Sequence, residues 1–263
     1  MTDTSGIVHG DLNFICFEPH TRGLLPIFQT DDFALFDKPS GILIHPQNRH
    51  TPYSLIDEIK SQFGRDANIT HRIDQETSGL VLASLHKESE RDIKIMFQER
   101  KIEKSYLALV RGHICSDMHI TMPLLRENDD SAIVRMVVKA DSRGKASETF
   151  VTPLQYFDNL DMTLIEARPK TGRQHQIRVH MFHVKHPIVG DPIYGQSSEN
   201  IIRFLDKELS SDERFKLTGA PRLLLHAQTL SFTYKNQFYQ LQSKANFLDE
   251  ALSSLKDYPT FTP

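Results

Sequence analysis

The chain has 263 residues, 39% apolar and 25% charged, with 12 glycines and 13 prolines; these ordinary globular proportions exclude collagen-like, low-complexity and broadly disordered chains. The length suits one large domain or two small ones, and no apolar run approaches the roughly 20 residues that span a bilayer, so no membrane partner is expected. A net charge of −3 gives no general affinity for polyanions, and Cys16 and Cys115 form neither a disulfide framework nor a thiolate metal site, which points to a reducing, cytoplasmic setting.

No repeat or Gly/Pro/Ser-rich linker divides the chain, which predicts one continuous core. In chain order, Phe33–Asp37 and Gly41–His45 flank Lys38-Pro39-Ser40-Gly41 and predict two strands joined as a hairpin. Tyr53, Ile56, Ile59 and Phe63 recur at helical spacing after Thr51-Pro52 and predict a helix over 53–63. Gly79–Ala83 reads as a buried strand, and Ile93, Met96, Phe97 and Arg100 mark an amphipathic helix over 87–101. Strand-like runs follow at 105–110, 132–138, 147–154, 162–168, 222–227 and on both sides of Lys235-Asn236. Gln174–Lys185 predicts a helix with Ile177, Met181 and Val184 buried, and 200–209 predicts another. Strands mixed with separated helices, without regular alternation, predict an α+β fold on a mixed, mostly antiparallel sheet.

The charge is unevenly placed. Positions 1–59 hold 8 acids and 3 bases, whereas 168–186 holds Arg168, Lys170, Arg173, Arg178 and Lys185 with no acid. Within a Debye length of about 8 Å such a cluster makes a local anion site on an acidic chain, unless it is only a solvated helix face. Four histidines share that window: His175, His180, His183 and His186. Their spacing does not put them on one helical face, and no HExxH carboxylate accompanies them, so no metal is expected. GxSxG, GxxxxGK[ST] and GxGxxG patterns are missing, which removes support for serine hydrolysis, nucleotide-driven and dinucleotide chemistry. His71-Arg72-Ile73-Asp74-Gln75-Glu76-Thr77-Ser78-Gly79 is a dense polar loop before an apolar strand. Asp74 there suits a turn cap, with Gly79 supplying turn flexibility, as well as it suits catalysis.

The loop HRIDQETSGLVLAS, together with DKPSGILIHP at 37–46, EKSYLALVRG at 103–112, PKTGRQHQIRVHMFHVKHPIVGDPIYG at 169–195 and LLLHAQTLSF at 223–232, resembles the RluA-type RNA pseudouridine synthases. The resemblance runs from about Pro26 to Phe232. It implies an α+β catalytic domain with a central cleft, a uridine-to-pseudouridine isomerase, no cofactor, and ribosomal or transfer RNA as partner. By the same resemblance Asp74 is the catalytic aspartate, Tyr106 the active-site tyrosine and Arg178 the arginine paired with the aspartate. Arg72 matches the arginine that helps displace the target base, and Arg173, His175, Lys170 and Lys185 are expected to bind substrate. Residues 1–25 are expected to be an extension and 26–263 the catalytic domain, too little sequence preceding the motifs for the small RNA-binding domain many family members carry; a monomer is expected. Two other readings stand beside this one: a non-catalytic RNA-binding ribosome assembly factor on the same fold, and a hydrolase of the same glycosidic bond. The hydrolase would need a second carboxylate, with Glu76 the nearest candidate and expected to be exposed.

Overall fold

A computed structural model describes residues 23–46, 53–127, 135–138 and 143–256 of the chain. Continuous apolar runs build the sheet, successive side chains pointing to opposite faces. In β2 (Phe33–Lys38) and β4 (Ser78–Ser84), Ala34, Phe36, Val81 and Ala83 face α1 (Leu55–Phe63), while Phe33, Leu35, Leu80 and Leu82 join a second cluster with Ile93 of α2 (Lys87–Gln98). Both faces are covered, so β4 is buried along its whole length; each such Leu, Val or Phe contributes about 1.5–3 kcal/mol. With β1 (Phe28–Gln29), β3 (Asn68–Ile69), β5 (Glu103–Arg111), β6 (Met118–Ile120), β9 (Thr149–Phe157), β10 (Met162–Pro169), β11 (Leu225–Tyr234) and β12 (Gln237–Gln242), they form one ten-stranded sheet. Its order is β1-β2-β4-β11-β5-β10-β9-β6, with β12 on β11 and β3 on β4. The β4–β11 pair is parallel and the others antiparallel, as the α+β reading requires. A separate two-stranded ribbon joins β7 (Leu124–Glu127) to β8 (Arg135–Val138).

On the other half of the sheet, Ala108, Val110, Ile165 and Ala167 pack against Ile177 and Met181 of α3 (Gln176–His183), and Leu109 and Leu164 pack against Phe247 and Ala251 of α6 (Phe247–Lys256). Tyr106 of β5 touches three of these clusters, so it lies at the seam between the two halves. Helices α4 (Ser198–Leu205) and α5 (Ser211–Thr218) follow α3.

Several expectations need correction. The 41–45 segment is a loop, because β2 pairs with β1 and β4 instead. Its Ile42 and Ile44 are buried against α1, and the carbonyls of Leu43 and Ile44 accept from the Leu55 and Ile56 N–H groups. Helix α1 starts from Ser54, whose N–H and hydroxyl donate to Asp57, whereas Thr51-Pro52 lies outside the described residues. Helix α2 ends before Arg100, which turns left-handed at φ 59°. Helix α3 stops at His183, so Val184 caps it. The 200–209 helix begins and ends earlier, at 198 and 205, while α5 and α6 had no expectation. Of the 132–138 run, 132–134 lies outside the described residues. Gly79 is inside β4, not in the turn. Its φ is +102°, and a Cβ there would stand 2.3 Å from the Ala227 carbonyl oxygen, so the glycine permits the parallel contact with β11.

Candidate active site

The turn before β4, the seam strand β5 and helix α3 converge on an open cleft of about 850 Å³. Asp74, Tyr106, Arg178, Arg72, Lys170, Arg173 and His175 all line it. Lys185 does not: it is exposed beyond the C-terminal end of α3, held left-handed at φ 69°. Seven lysine and arginine side chains line the cleft against two carboxylates, Asp74 and Glu103, so a chain of net charge −3 still presents a cationic cleft.

At the head of the cleft Arg178 links two carboxylates. Its Nη1 donates to Asp74 Oδ2 at 3.1 Å, and its Nε and Nη2 donate to Asp191 at 2.7 and 2.8 Å. Arg178 is 3% exposed and Asp191 2%, so this planar fork is an ion pair in a poorly hydrated place. Burial opposes the Arg178 charge, but Asp191, and then Asp74, more than offset it and hold the guanidinium protonated. Burial would likewise raise the Asp191 pKa. Arg178 and the N–H groups of Tyr194 and Ile193, at 3.0 and 2.8 Å, hold it below the usual carboxylate value. Gly190 places that loop: at φ +80°, a Cβ would overlap the Arg222 carbonyl oxygen at 1.8 Å.

The Asp74 turn is fixed from behind. Lys38, 1% exposed, donates through Nζ to the carbonyls of Pro39, Ile42 and Gln75 at 2.9, 3.1 and 2.9 Å. Ser40 donates to the Glu76 carbonyl at 2.6 Å, and His71 Nε2 accepts from the Leu82 N–H at 2.9 Å. Burial pushes the Lys38 pKa down to about 7. The cap reading of Asp74 fails, since Thr77 N–H bonds the Asp74 backbone carbonyl and the carboxylate goes to Arg178. Glu76 is not exposed. It is ion-paired with Arg214 of α5 and is not among the residues lining the cleft, so Glu76 does not supply the second carboxylate of a hydrolase.

Tyr106 forms the floor. Burial, and next the Asp74 charge, push its pKa well above the ordinary tyrosine value, so it is a neutral phenol. His175, left-handed at φ 55° as the N-cap of α3, pairs Nδ1 with the Tyr194 hydroxyl at 3.0 Å and sets Nε2 3.8 Å from Asp74 Oδ2. Burial, then Arg178, lower its pKa to about 4, and it is neutral at physiological pH. Gln176 locks the preceding loop, donating to the Glu148 carbonyl and Thr149 hydroxyl and accepting from the Thr171 hydroxyl and the Arg173 N–H. Of the other histidines in that window, His180 bonds Ser147 and Thr149, His186 bonds the Arg111 carbonyl, and His183 is exposed. Arg72 is exposed at the rim.

Sequence spacing assigns no role to Asp191, Gln176 or Lys38. Asp191 lies within the 169–195 motif, but nothing local identifies the residue 13 positions earlier as its partner. Lys38-Pro39-Ser40-Gly41 reads as turn geometry, and only the fold shows what that turn grips.

The sequence pattern of the RNA pseudouridylate synthase family matches residues 32–183. An "Uncharacterized RNA pseudouridine synthase" of Helicobacter pylori is 38% identical over 239 residues, 91% of this chain and 78% of that protein. The "Dual-specificity RNA pseudouridine synthase RluA" of Pasteurella multocida is 33% identical, covering 84% of this chain and 92% of its own, and the "tRNA pseudouridine synthase C" of Haemophilus ducreyi is 31% identical, covering 83% and 89%. The solved structure of human RNA pseudouridylate synthase domain containing 1 shares the fold, with a TM-score of 0.68 at 23% identity, over 92% of this chain and 98% of that one. Among the described residues no helix is long and apolar enough to cross a membrane.

Proposed function

The chain belongs to the RNA pseudouridylate synthase family, in its RluA-type branch, and on that premise we propose that it isomerises a uridine of transfer or ribosomal RNA by chemistry centred on Asp74. The enzyme class is an isomerase acting on RNA. The reaction breaks the bond from uracil N1 to ribose C1′, turns the base, joins C1′ to C5 and releases the C5 proton to the N1 side. It is redox-neutral, and its atoms balance within the nucleotide.

One observation carries the assignment: the Arg178 fork that holds Asp74 at the head of a cation-lined cleft. The guanidinium donates to the carboxylate at 3.1 Å and so aims it, and either attack on C1′ or removal of a ribose proton uses a carboxylate oxygen held there. Asp191 takes the other edge of Arg178, so the arginine is already oriented before RNA arrives. A target uridine must leave its stack to reach Asp74. Tyr106 then offers a ring face to the extruded uracil and a hydroxyl that donates to it, and as a neutral phenol it is a poor base. Arg72 stands at the rim where the vacated stack would lie, and Lys170 and Arg173 meet phosphates, which position RNA without reading its sequence. The protein acts as a monomer in this reading.

The test is Asp74→Asn, which preserves shape and removes the ionised oxygen. Mapping pseudouridine in total RNA from cells carrying the wild-type or variant gene should reveal at least one uridine modified only with wild type, while purified variant still binds that RNA. A variant that restores every modification would refute the role of Asp74.

A further inference from the structure

The cations of the cleft differ in how they are compensated. Arg178 has two carboxylates, Arg168 lies 3.8 Å from Glu166, Lys170 3.9 Å from Glu103, and Arg173 Nε donates to the Ala146 carbonyl at 3.2 Å. Arg72 and Arg100 are exposed and solvated by water. Lys104 has neither form of compensation. It is largely sheltered on the cleft wall, and among the described residues no hydrogen bond or ion pair reaches its ammonium. Its adjacent acid, Glu103, is turned to Lys170. Burial lowers the Lys104 pKa, with no carboxylate acting against the fall. Its charge in turn helps keep His71 neutral, at a pKa that burial first and Lys104 second lower to about 3. On another side stands Gly172, where an added methyl carbon would sit in van der Waals contact with Nζ at 3.6 Å, so the 170–173 loop, Lys-Thr-Gly-Arg, runs beside the ammonium and brings it no carboxylate.

A partly desolvated ammonium without a counter-charge is unfavourable unless the ligand brings one. Uracil and ribose carry no formal charge, so in RNA that counter-charge is a phosphodiester. Position along the strand says which one. Lys104 and Tyr106 are two apart on β5 and share its cleft face, with Cα atoms about 6.6 Å apart. That is the span from a base to the sugar-phosphate of its own nucleotide. We propose that Lys104 binds the phosphodiester flanking the nucleotide whose base rests on Tyr106. The inference rests on the reading of Tyr106 and Asp74 given above and adds the anion subsite that holds the extruded nucleotide by its backbone.

The test is a cycle between protein and RNA. The probe is a short RNA hairpin with one loop uridine, made with normal linkages or with an uncharged methylphosphonate at the 5′ or the 3′ flank of that uridine. Binding is measured to wild type, Lys104→Met and Lys104→Arg. One of the two methylphosphonates should weaken wild-type binding about tenfold, the scale of one charge-assisted hydrogen bond. Lys104→Met should lose a similar factor on the normal RNA and nothing more on that modified RNA, and Lys104→Arg should recover most of the loss. Because no internal partner is removed, Lys104→Met should melt no lower than wild type. Independent, multiplying losses at both flanks would overturn the proposal, and so would a lower melting temperature, which would reveal a structural partner. Absence of pseudouridine after wild-type treatment of the hairpin and of total RNA would instead count against the Asp74 reading, while the binding cycle still decides Lys104.

Discussion

Replacing Asp191 by Asn tests the fork from its buried side. The carboxylate accepts four hydrogen bonds, from Arg178 Nε and Nη2 and from the N–H groups of Ile193 and Tyr194. An amide of the same shape keeps the bonds to one oxygen but turns an NH2 toward Arg178 Nε and leaves the buried guanidinium without its main counter-charge. Breaking one side of a buried pair costs about 3–5 kcal/mol. Since Asn retains some bonds, the lower figure applies: about 3 kcal/mol, at roughly 2–4 °C per kcal/mol for a chain of this size, lowers the melting temperature by roughly 6–12 °C. The sign with pH follows from a folded pKa below the unfolded value. The contribution of Asp191 is complete above the unfolded pKa of about 4 and is lost as pH falls through the folded one, so the deficit of the variant is full at neutral pH and shrinks in acid. Activity should fall about a hundredfold, because Arg178 no longer holds Asp74 in one place. Calorimetry across pH and single-turnover conversion of a modified RNA supply both readings. The double variant Arg178→Met, Asp191→Leu separates them: an apolar pair restores most of the stability but no activity. If Asp191→Asn melts with wild type at neutral pH, the pair is hydrated and the reasoning about the fork is wrong.

Two more outcomes can be stated. If RNA follows the cleft, Lys170→Ala with Arg173→Ala should reduce the slope of log K against log salt by about 0.7 for each lost contact with single-stranded RNA, whereas Lys185→Ala, outside the cleft, should leave it parallel to wild type; a changed slope for Lys185 alone would move the RNA path to the other end of α3. His180 is fully buried, and burial lowers its pKa to about 4, so it resists protonation when folded. Stability should therefore fall as pH drops below about 6.5, by about 2 kcal/mol at pH 5, and level off near its folded pKa, with a shallower fall in His180→Asn by urea titration; equal slopes would mean that His180 is already solvated.

Features that depend on near neighbours and on residue identity are legible along the chain before any fold is known. Short apolar runs mark β2, β4, β5 and β10, and a spacing of three and four marks α1 and α2, because a strand covered on both faces needs apolar residues throughout and a helix covered on one face needs them once a turn. The polar loop at 71–79 and the cationic window at 168–186 read as chemistry waiting for a partner, and the motif order names the family. The hairpin expected at 33–45 failed because adjacent apolar runs do not say whether they pair with each other, and β2 gains more by lying on β4. Which groups meet is settled by packing across the whole chain. Asp74 and Arg178 are 104 positions apart and are joined because the turn before β4 and helix α3 border the same cleft beside the seam strand β5. Lys185 is as basic as Lys170, yet a left-handed turn after α3 puts it outside the cleft. Asp191, Gln176 and Lys104 acquire their significance from burial: a charge costs little in water and much without it, and no local window of sequence reports how much water a side chain keeps.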